Sequence, residues 1–140
     1  MGAEFVHPKR FIPVKLSRPR LHQTYLRKRL FHILSKSLDR CALWVCGPAG
    51  SGKTTLVNSF LHTNNIPCIW YGIDQTDTDI ASFFYYLGKA LEEISADDSV
   101  YLPSFAQGSI FDTAIFTKRY FNLMSQQIST PFAIVLDNYQ

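Results

Sequence analysis

The stretch that decides the fold is Gly47-Pro48-Ala49-Gly50-Ser51-Gly52-Lys53-Thr54. It matches the pattern G-x-x-x-x-G-K-[ST], which would arise by chance in fewer than about 1% of chains of this length at average composition. The apolar residues 42–46 come directly before it, and a stretch with apolar residues at helical spacing begins at Lys53. A strand, a glycine-rich loop and a helix in this order are typical of a loop that binds phosphate groups. We call residues 47–54 the phosphate loop.

The residue types of the phosphate loop fit a nucleoside triphosphate. Its glycines allow backbone N–H groups to surround a phosphate at the positive end of the following helix. Lys53 is expected to reach the β- and γ-phosphates, the Thr54 hydroxyl to bind Mg²⁺, and Thr55 to contact the α-phosphate. The alternative is a glycine-rich turn with an incidental lysine. No guanine-reading N/T-K-x-D tetrad is present, which slightly favours ATP. We expect ATP and Mg²⁺ as ligands, with these cofactor-binding candidates: Gly47, Pro48, Ala49, Gly50, Ser51, Gly52, Lys53, Thr54 and Thr55.

A second candidate site residue follows an apolar stretch near residue 140. Residues 132–136 predict a strand that delivers Asp137 at its carboxyl end, where a carboxylate can hold Mg²⁺ together with Thr54. The alternative is an ordinary turn at the end of a strand. The next residue is Asn138, whose amide can orient water but cannot accept its proton, so slow hydrolysis is expected. Lys53, Asp137 and Asn138 are the candidate catalytic residues of a slow ATPase.

The remaining chain predicts an α/β fold. Residues 1–20 contain three prolines and read as an extended basic arm, and residues 21–140 read as the N-terminal part of a P-loop NTPase domain. The pattern predicts helices from about His22 to Leu38, from Lys53 to about His62, after the capping pair Thr78-Asp79, and from Ile110 to Ile128. Strands are predicted at 42–46, 67–73 and 132–136, and a loop at 95–109. We expect a three-layer α/β/α arrangement with a parallel sheet.

Charge and composition narrow the function classes. The first 40 residues carry ten Lys or Arg and two acidic residues, whereas the whole chain has a net charge of only +3. Such a segment could contact nucleic acid or anionic lipid, or it could be a solvated helix face that docks on the acidic remainder. Three cysteines without C-x-x-C spacing suggest neither disulfides nor zinc, and we expect them to be small buried residues. No apolar run approaches the roughly 18 residues of a membrane span, so we expect a cytoplasmic protein without a membrane partner.

Three segments together resemble the N-terminal nucleotide-binding region of the MalT-like, LuxR-type transcriptional regulators, which belong to the signal-transduction ATPases with numerous domains. The likeness covers about residues 15–140. It is carried by Lys15-Leu16-Ser17-Arg18-Pro19-Arg20-Leu21-His22 with Leu26-Arg27-Lys28-Arg29-Leu30, by the phosphate loop with Ile69-Trp70-Tyr71-Gly72-Ile73-Asp74-Gln75-Thr76-Asp77, and by Ile134-Val135-Leu136-Asp137-Asn138-Tyr139. Asn138 and Gln140 depart from the Asp and His that are common in the family.

This resemblance implies a regulatory switch in which ATP and an inducer favour a self-associating active form. ATP and ADP would be the ligands, and DNA would be bound only by a downstream domain outside this chain. The resemblance implies Arg27 as a nucleotide contact near the adenine and ribose, the alternative being a solvated helix charge. Asp74 and Asp77 are expected to cap the following helix or to lie in solvent.

The resemblance also implies a particular strand order. In this class of P-loop folds a later strand separates the phosphate-loop strand from the strand carrying the metal-binding Asp, so the chain is expected to be truncated after its third strand. Such a fragment would expose unpaired strand edges and have marginal stability. Two other functions stay open. A small P-loop kinase or phosphotransferase would pair the first and third strands directly and need lid arginines, and a nucleic-acid-binding module would use the basic N-terminal segment.

Overall fold

A computed structural model describes residues 13–22, 25–40, 42–95, 101–105, 112–128 and 130–139. Two α-helices precede each of the two strands along these residues. In chain order they are α1 (Lys28–Lys36), α2 (Lys53–Thr63), β1 (Cys68–Gly72), α3 (Ile80–Ile94), α4 (Thr113–Gln127) and β2 (Ala133–Asp137). Short 3₁₀ turns lie at Val14–Leu16 and Gln75–Thr78.

The two strands pair in parallel and in register. Cys68 lies opposite Ala133 at one end of the pair, and Gly72 lies opposite Asp137 at the other. The backbone N–H of Ile73 donates to the carbonyl of Asp137 at 2.9 Å, which extends the pairing by one residue. Because the strands are parallel, their carboxyl ends meet at one edge, and this edge contains Asp137.

Helices cover both faces of this small sheet, because successive residues of a strand point to opposite sides. Ile69 and Tyr71 face a first core cluster with side chains of α3 and α4. Trp70 faces a second cluster with side chains of α1 and α2. The described residues therefore form three layers, with a parallel sheet in the middle. Its assignment to the P-loop NTPase fold stays a prediction.

Local capping explains where the later helices begin. The Asp79 carboxylate accepts hydrogen bonds from the backbone N–H groups of Ala81 and Ser82 at the start of α3, as its position in the sequence predicts. Asp112 accepts from Ala114 in the same way at the start of α4. The predicted loop at 95–109 shows no helix or strand at Ser95 or at 101–105, and its other residues lie outside the described part.

The strand predicted at residues 42–46 is wrong, since these residues form no ladder with β1 or β2. A strand requires a hydrogen-bonded neighbour, and the sheet of the described residues contains β1 and β2 alone. Most side chains of this segment are exposed, Val45 contacts the second cluster, and the Trp44 ring meets that of Tyr139 at 5.3 Å. Cys46, predicted to be buried, is exposed, Cys68 is half-buried, and Cys41 lies outside the described residues.

The first predicted helix is shorter than its pattern suggests. α1 begins at Lys28. Arg27 occupies the N-cap position and makes no side-chain capping bond. Of the predicted apolar face, Leu34 is buried and Leu30 packs beside it. Leu26, Ile33 and Leu38 are 44%, 51% and 54% exposed. In the part of the chain that the structure describes, no helix is long and apolar enough to cross a membrane.

Candidate functional site

The backbone of the phosphate loop has the conformation for which its glycines were singled out. Gly50 and Gly52 have φ angles of 72° and 79°, in the left-handed region that side chains rarely adopt. Gly52 is also the N-cap of α2, and its carbonyl accepts the first helical bond, from Leu56, at 2.8 Å. A Cβ on Gly47 would lie 2.9 Å from the Ser51 hydroxyl. The backbone therefore favours glycine at positions 50 and 52, while a side chain at position 47 would require the Ser51 hydroxyl to move.

The ammonium group of Lys53 lies over the loop. Its Nζ donates to the carbonyl oxygens of Gly47 and Pro48, both at 2.9 Å. The backbone N–H of Ser51 donates to the carbonyl of Pro48 at 3.2 Å and closes the turn from Pro48 to Ser51. A positive charge is thus held at the mouth of the loop by hydrogen bonds that an anion could replace.

The two candidate metal ligands are in direct contact. The Thr54 hydroxyl donates to Oδ1 of Asp137 at 3.0 Å, although 83 positions separate the two residues. Asn138 lies beside them, with a left-handed φ of 61°, and its backbone N–H donates to the same Oδ1 at 3.1 Å. The first turn of α2 and the carboxyl end of β2 therefore meet at one point.

The Thr54–Asp137 pair fits Mg²⁺ better than a transition metal. Mg²⁺ prefers oxygen ligands and takes only one or two from protein, with the rest from water and phosphate. Within the described ranges, no group of three or more His, Cys, Asp or Glu side chains could hold a metal by itself. A hydroxyl and a carboxylate beside a phosphate loop are the donor set that a phosphate-bound Mg²⁺ needs.

Arg27 lies against the phosphate loop. A Cβ placed on Gly52 would be 3.2 Å from Nη2 of Arg27, so the guanidinium group closely approaches the loop backbone. Arg27 is otherwise exposed and begins α1 as its N-cap residue. A second positive side chain therefore lies beside the loop that carries Lys53. Ala49 in the loop and Thr55 in the first turn of α2 were also predicted as ligand contacts, and both are exposed.

A segment that we call the strap, residues 13–22, attaches to α2 through Asn58. The Asn58 side chain, 1% exposed, accepts a bond from Nε of Arg18 and donates to the carbonyl of Pro19 at 2.7 Å. Nη2 of Arg18 also donates to the Asn58 carbonyl at 2.9 Å. Beyond this attachment, residues 19–22 and the residues Thr54, Thr55 and Asn58 enclose a cavity of about 160 Å³.

The other end of the strap is attached at the carboxyl end of β1. Nζ of Lys15 lies 2.8 Å from Oδ1 of Asp77 and 3.4 Å from Oδ2 of Asp74. It also lies over the rings of Tyr86 and Tyr71. The Tyr71 hydroxyl donates to the same Asp77 oxygen at 2.6 Å. Asp74 and Asp77 form a capping box for the 3₁₀ turn that follows β1, so they cap that turn and not α3, and Asp77 is largely buried.

These contacts shift the pKa values of the groups involved. Burial disfavours the charged forms of Lys15 and Asp77, but their mutual hydrogen bond and attraction outweigh it. The pKa of Lys15 is therefore raised and that of Asp77 lowered. Burial, together with the hydrogen bond to Asp77, raises the pKa of Tyr71. Hydrogen bonds from Thr76 lower the pKa of Asp74. The shifts of Lys15 and Asp77 favour the charged forms that make up the ion pair.

Sequence reasoning missed Lys15, Arg18 and Asn58. The one available signal for Asn58 was a polar residue four positions after Thr54, in a helix that also carries the buried apolar residues Leu56, Phe60 and Leu61.

Comparison with known proteins adds no assignment. No family model matches the chain. No solved structure matches it at a significant level. What the chain does must be argued from the phosphate loop, from the Thr54–Asp137 contact and from the strap.

Proposed function

We propose that this chain binds ATP with Mg²⁺ on the phosphate loop and works as a regulatory nucleotide-binding module with slow or no hydrolysis of its own. The observation that carries the proposal is the hydrogen bond between Thr54 and Asp137. Each residue was selected from its own stretch of sequence as a metal ligand. Their contact is what a single Mg²⁺ site requires, and an incidental glycine-rich turn gives no reason for it.

The phosphates would be bound by the loop backbone and by Lys53. The positive φ angles of Gly50 and Gly52 turn the loop toward the N-terminus of α2, where N–H groups and the helix dipole favour an anion. Lys53 would exchange its bonds to the carbonyls of Gly47 and Pro48 for charge-assisted bonds to phosphate oxygens. The phosphate oxygens would then pair with the charge of Lys53, and the carbonyls of Gly47 and Pro48 would bond to water instead.

Mg²⁺ would be held by Thr54 and Asp137 together with phosphate oxygens and water, where it supplies neutralisation of phosphate charge. The nucleoside would extend from the loop toward Arg27 and the cavity beyond Thr55. This assignment uses the cavity wall formed by Thr54 and Thr55, which continues directly from the loop. ADP would occupy the same site.

The identity of residue 138 as asparagine is the reason to expect slow hydrolysis. Asn138 follows Asp137 directly and its backbone contacts the Asp137 carboxylate. Its side chain can orient a water molecule but cannot take up a proton. A site that binds ATP and hydrolyses it slowly suits a switch more than a metabolic enzyme. The resemblance to MalT-like regulators agrees with this role and extends the proposal to a cytoplasmic switch that self-associates and acts on DNA through another domain.

The two alternative functions receive less support. A small P-loop kinase would pair residues 42–46 with the strand that carries Asp137, whereas residues 42–46 form no ladder with β2. Beyond residue 40 the chain has only Arg119 as an arginine. Arg119 lies exposed on α4, which precedes β2, whereas the lid arginines of such a kinase would follow the strand that carries Asp137. A nucleic-acid module would need the cations of the N-terminal segment, yet Lys15 and Arg18 are bonded within the chain.

Equilibrium binding of ATP, ADP and GTP, each with Mg²⁺ and with EDTA, tests the proposal. We expect ATP and ADP to bind, ATP to bind more tightly with Mg²⁺, and GTP to bind more weakly. No binding of any nucleotide to a folded sample, shown to be folded by circular dichroism, would refute it. Tight salt-dependent DNA binding without nucleotide would favour the nucleic-acid alternative instead.

A further inference from the structure

We propose that Asn58 is a positioning residue, which fixes the strap relative to the phosphate loop and so determines how much the nucleoside part of a nucleotide contributes to binding. This inference rests on the proposed function. Asn58 contributes to the wall of the cavity, but both polar groups of its side chain are bonded to the strap, so we assign it no hydrogen bond to the ligand.

The burial of Asn58 makes this attachment specific. An amide that is 1% exposed must satisfy both its carbonyl and its NH₂ group, since an unpaired buried polar group is strongly unfavourable. Arg18 satisfies the carbonyl and Pro19 accepts from the NH₂ group. The strap therefore has one preferred position on α2, and a shift by a single residue would leave the amide unpaired.

The position of Asn58 on α2 links the strap to the phosphate loop. Asn58 lies four residues after Thr54, on the same side of the helix and about 6 Å further along its axis. Thr54 is in turn bonded to Asp137. The distance from the metal ligands to residues 19–22 is thus set by one rigid helical turn.

The cavity beyond Thr54 shows what this positioning could serve. Its walls are residues 19–22 of the strap on one side and Thr54, Thr55 and Asn58 on the other. If the strap leaves α2, one wall is lost while the phosphate loop stays intact. A ligand made only of phosphates would be indifferent to the change, and a ligand with a nucleoside would lose contacts.

The test compares ATP with inorganic tripolyphosphate, both with Mg²⁺, by isothermal titration of the whole chain. Arg18→Ala removes the two bonds that Arg18 makes to Asn58, leaves the bond from Asn58 to the Pro19 carbonyl, and does not touch the two core clusters. For this variant we expect the affinity for ATP to fall about tenfold or more, because the nucleoside loses its contacts with the strap, while the affinity for tripolyphosphate is unchanged. Asn58→Ala, if it folds, should show the same pattern. Arg119→Ala, an exposed arginine on α4, serves as the matched control and should change neither affinity.

The outcomes separate this inference from the proposed function. Wild-type protein that binds neither ligand would refute both. Binding of both ligands that is abolished by Lys53→Ala would support the proposed function, whatever the strap variants do. Equal affinity of the wild type for ATP and tripolyphosphate would overturn the role of Asn58. A parallel fall in both affinities in Arg18→Ala would also overturn it, because that pattern reports only a general loss of structure.

Discussion

The Thr54 hydroxyl lies 3.0 Å from Oδ1 of Asp137 and donates a hydrogen bond to it. One residue belongs to the first turn of α2 and the other ends β2. The parallel pairing of β2 with β1 places Asp137 beside Gly72 at the carboxyl edge of the sheet, on the side where the phosphate loop enters its helix. This contact joins the two halves of the proposed Mg²⁺ site.

Asp137→Asn should abolish the effect of Mg²⁺ on nucleotide binding. Asparagine keeps an oxygen that can accept from Thr54, but it lacks the charge that attracts the metal. We expect the affinity of the wild type for ATP to rise about tenfold or more with Mg²⁺, and that of the variant to be the same with Mg²⁺ and with EDTA. Asp112→Asn at the cap of α4 is the matched control, since asparagine caps as well as aspartate. A persistent Mg²⁺ effect in Asp137→Asn would contradict the metal assignment.

Alanine at Gly50 and at Gly52 should act differently although both residues have positive φ angles. Each substitution should lower the free energy of unfolding by about 1 kcal/mol through backbone strain. A Cβ at Gly52 also meets Arg27 at 3.2 Å, whereas a Cβ at Gly50 meets nothing within 4 Å. In a double-mutant cycle on ATP affinity, Gly52→Ala should therefore couple to Arg27→Ala, and Gly50→Ala should not. Equal coupling for the two glycines would argue against Arg27 as a neighbour of the bound nucleotide.

Loss of the Lys15–Asp77 pair should lower the free energy of unfolding only within a defined pH range. Because the pKa of Asp77 is lowered, its contribution to stability is present above the usual value of 3.8 and is lost as the pH falls below it. Because the pKa of Lys15 is raised, its contribution is present below 10.5 and is lost as the pH rises through the higher folded value. Tyr71, whose pKa is also raised, acts in the same direction at alkaline pH.

Urea denaturation of wild type and Lys15→Met measures this dependence. At pH 7 the variant should be about 2 kcal/mol less stable, since the pair is largely buried and Asp77 loses its cation. The difference should shrink toward zero as the pH drops below the usual pKa of aspartate. Lys89→Met removes the exposed pair with Glu92 and should cost less than about 0.5 kcal/mol. A difference that is constant from pH 3 to pH 7 would mean that the ion pair is not what Lys15 contributes.

Asn138→Asp should raise the rate of ATP hydrolysis. Aspartate tolerates the left-handed φ of 61° nearly as well as asparagine, so the backbone should be preserved. The new carboxylate can accept the proton of an attacking water, an effect typically worth about a hundredfold or more. Steady-state phosphate release measures the change, and Asn65→Asp, at the other non-glycine residue with positive φ among those described, is the matched control. An unchanged rate would show that the acid is not what limits turnover.

Features that depend on residues close together in the chain could be predicted from the sequence, whereas features that depend on distant residues could not. The helix at Lys53–Thr63, the cap of α3 at Asp79 and the strands around residues 70 and 135 follow from local spacing and capping, and the structure confirms them. The motif predicts glycines that let the loop backbone turn, and Gly50 and Gly52 have positive φ angles, whereas Gly47 does not. The strand at 42–46 failed because pairing depends on a neighbour, which an apolar pattern cannot supply.

The strap was the least accessible feature to sequence reasoning. Residues 15–20 have no period, and the partners of Lys15 and Arg18 lie 62 and 40 positions away. The surplus of basic residues near the N-terminus was interpreted by its net charge, whereas two of these side chains are bonded within the chain. The likeness to MalT-like regulators marked the same segment without indicating what it contacts.

The central claim is that the phosphate loop binds ATP, and isothermal titration with MgATP of wild type beside Lys53→Ala tests it most directly. Lys36→Ala, an exposed lysine at the end of α1, is the control for loss of charge. We predict micromolar binding by the wild type and by the control, and a loss of about a hundredfold in Lys53→Ala, as expected for a cation that contacts two phosphates. Equal affinities of the wild type and Lys53→Ala would contradict the account, because the loop would then not be where the nucleotide binds.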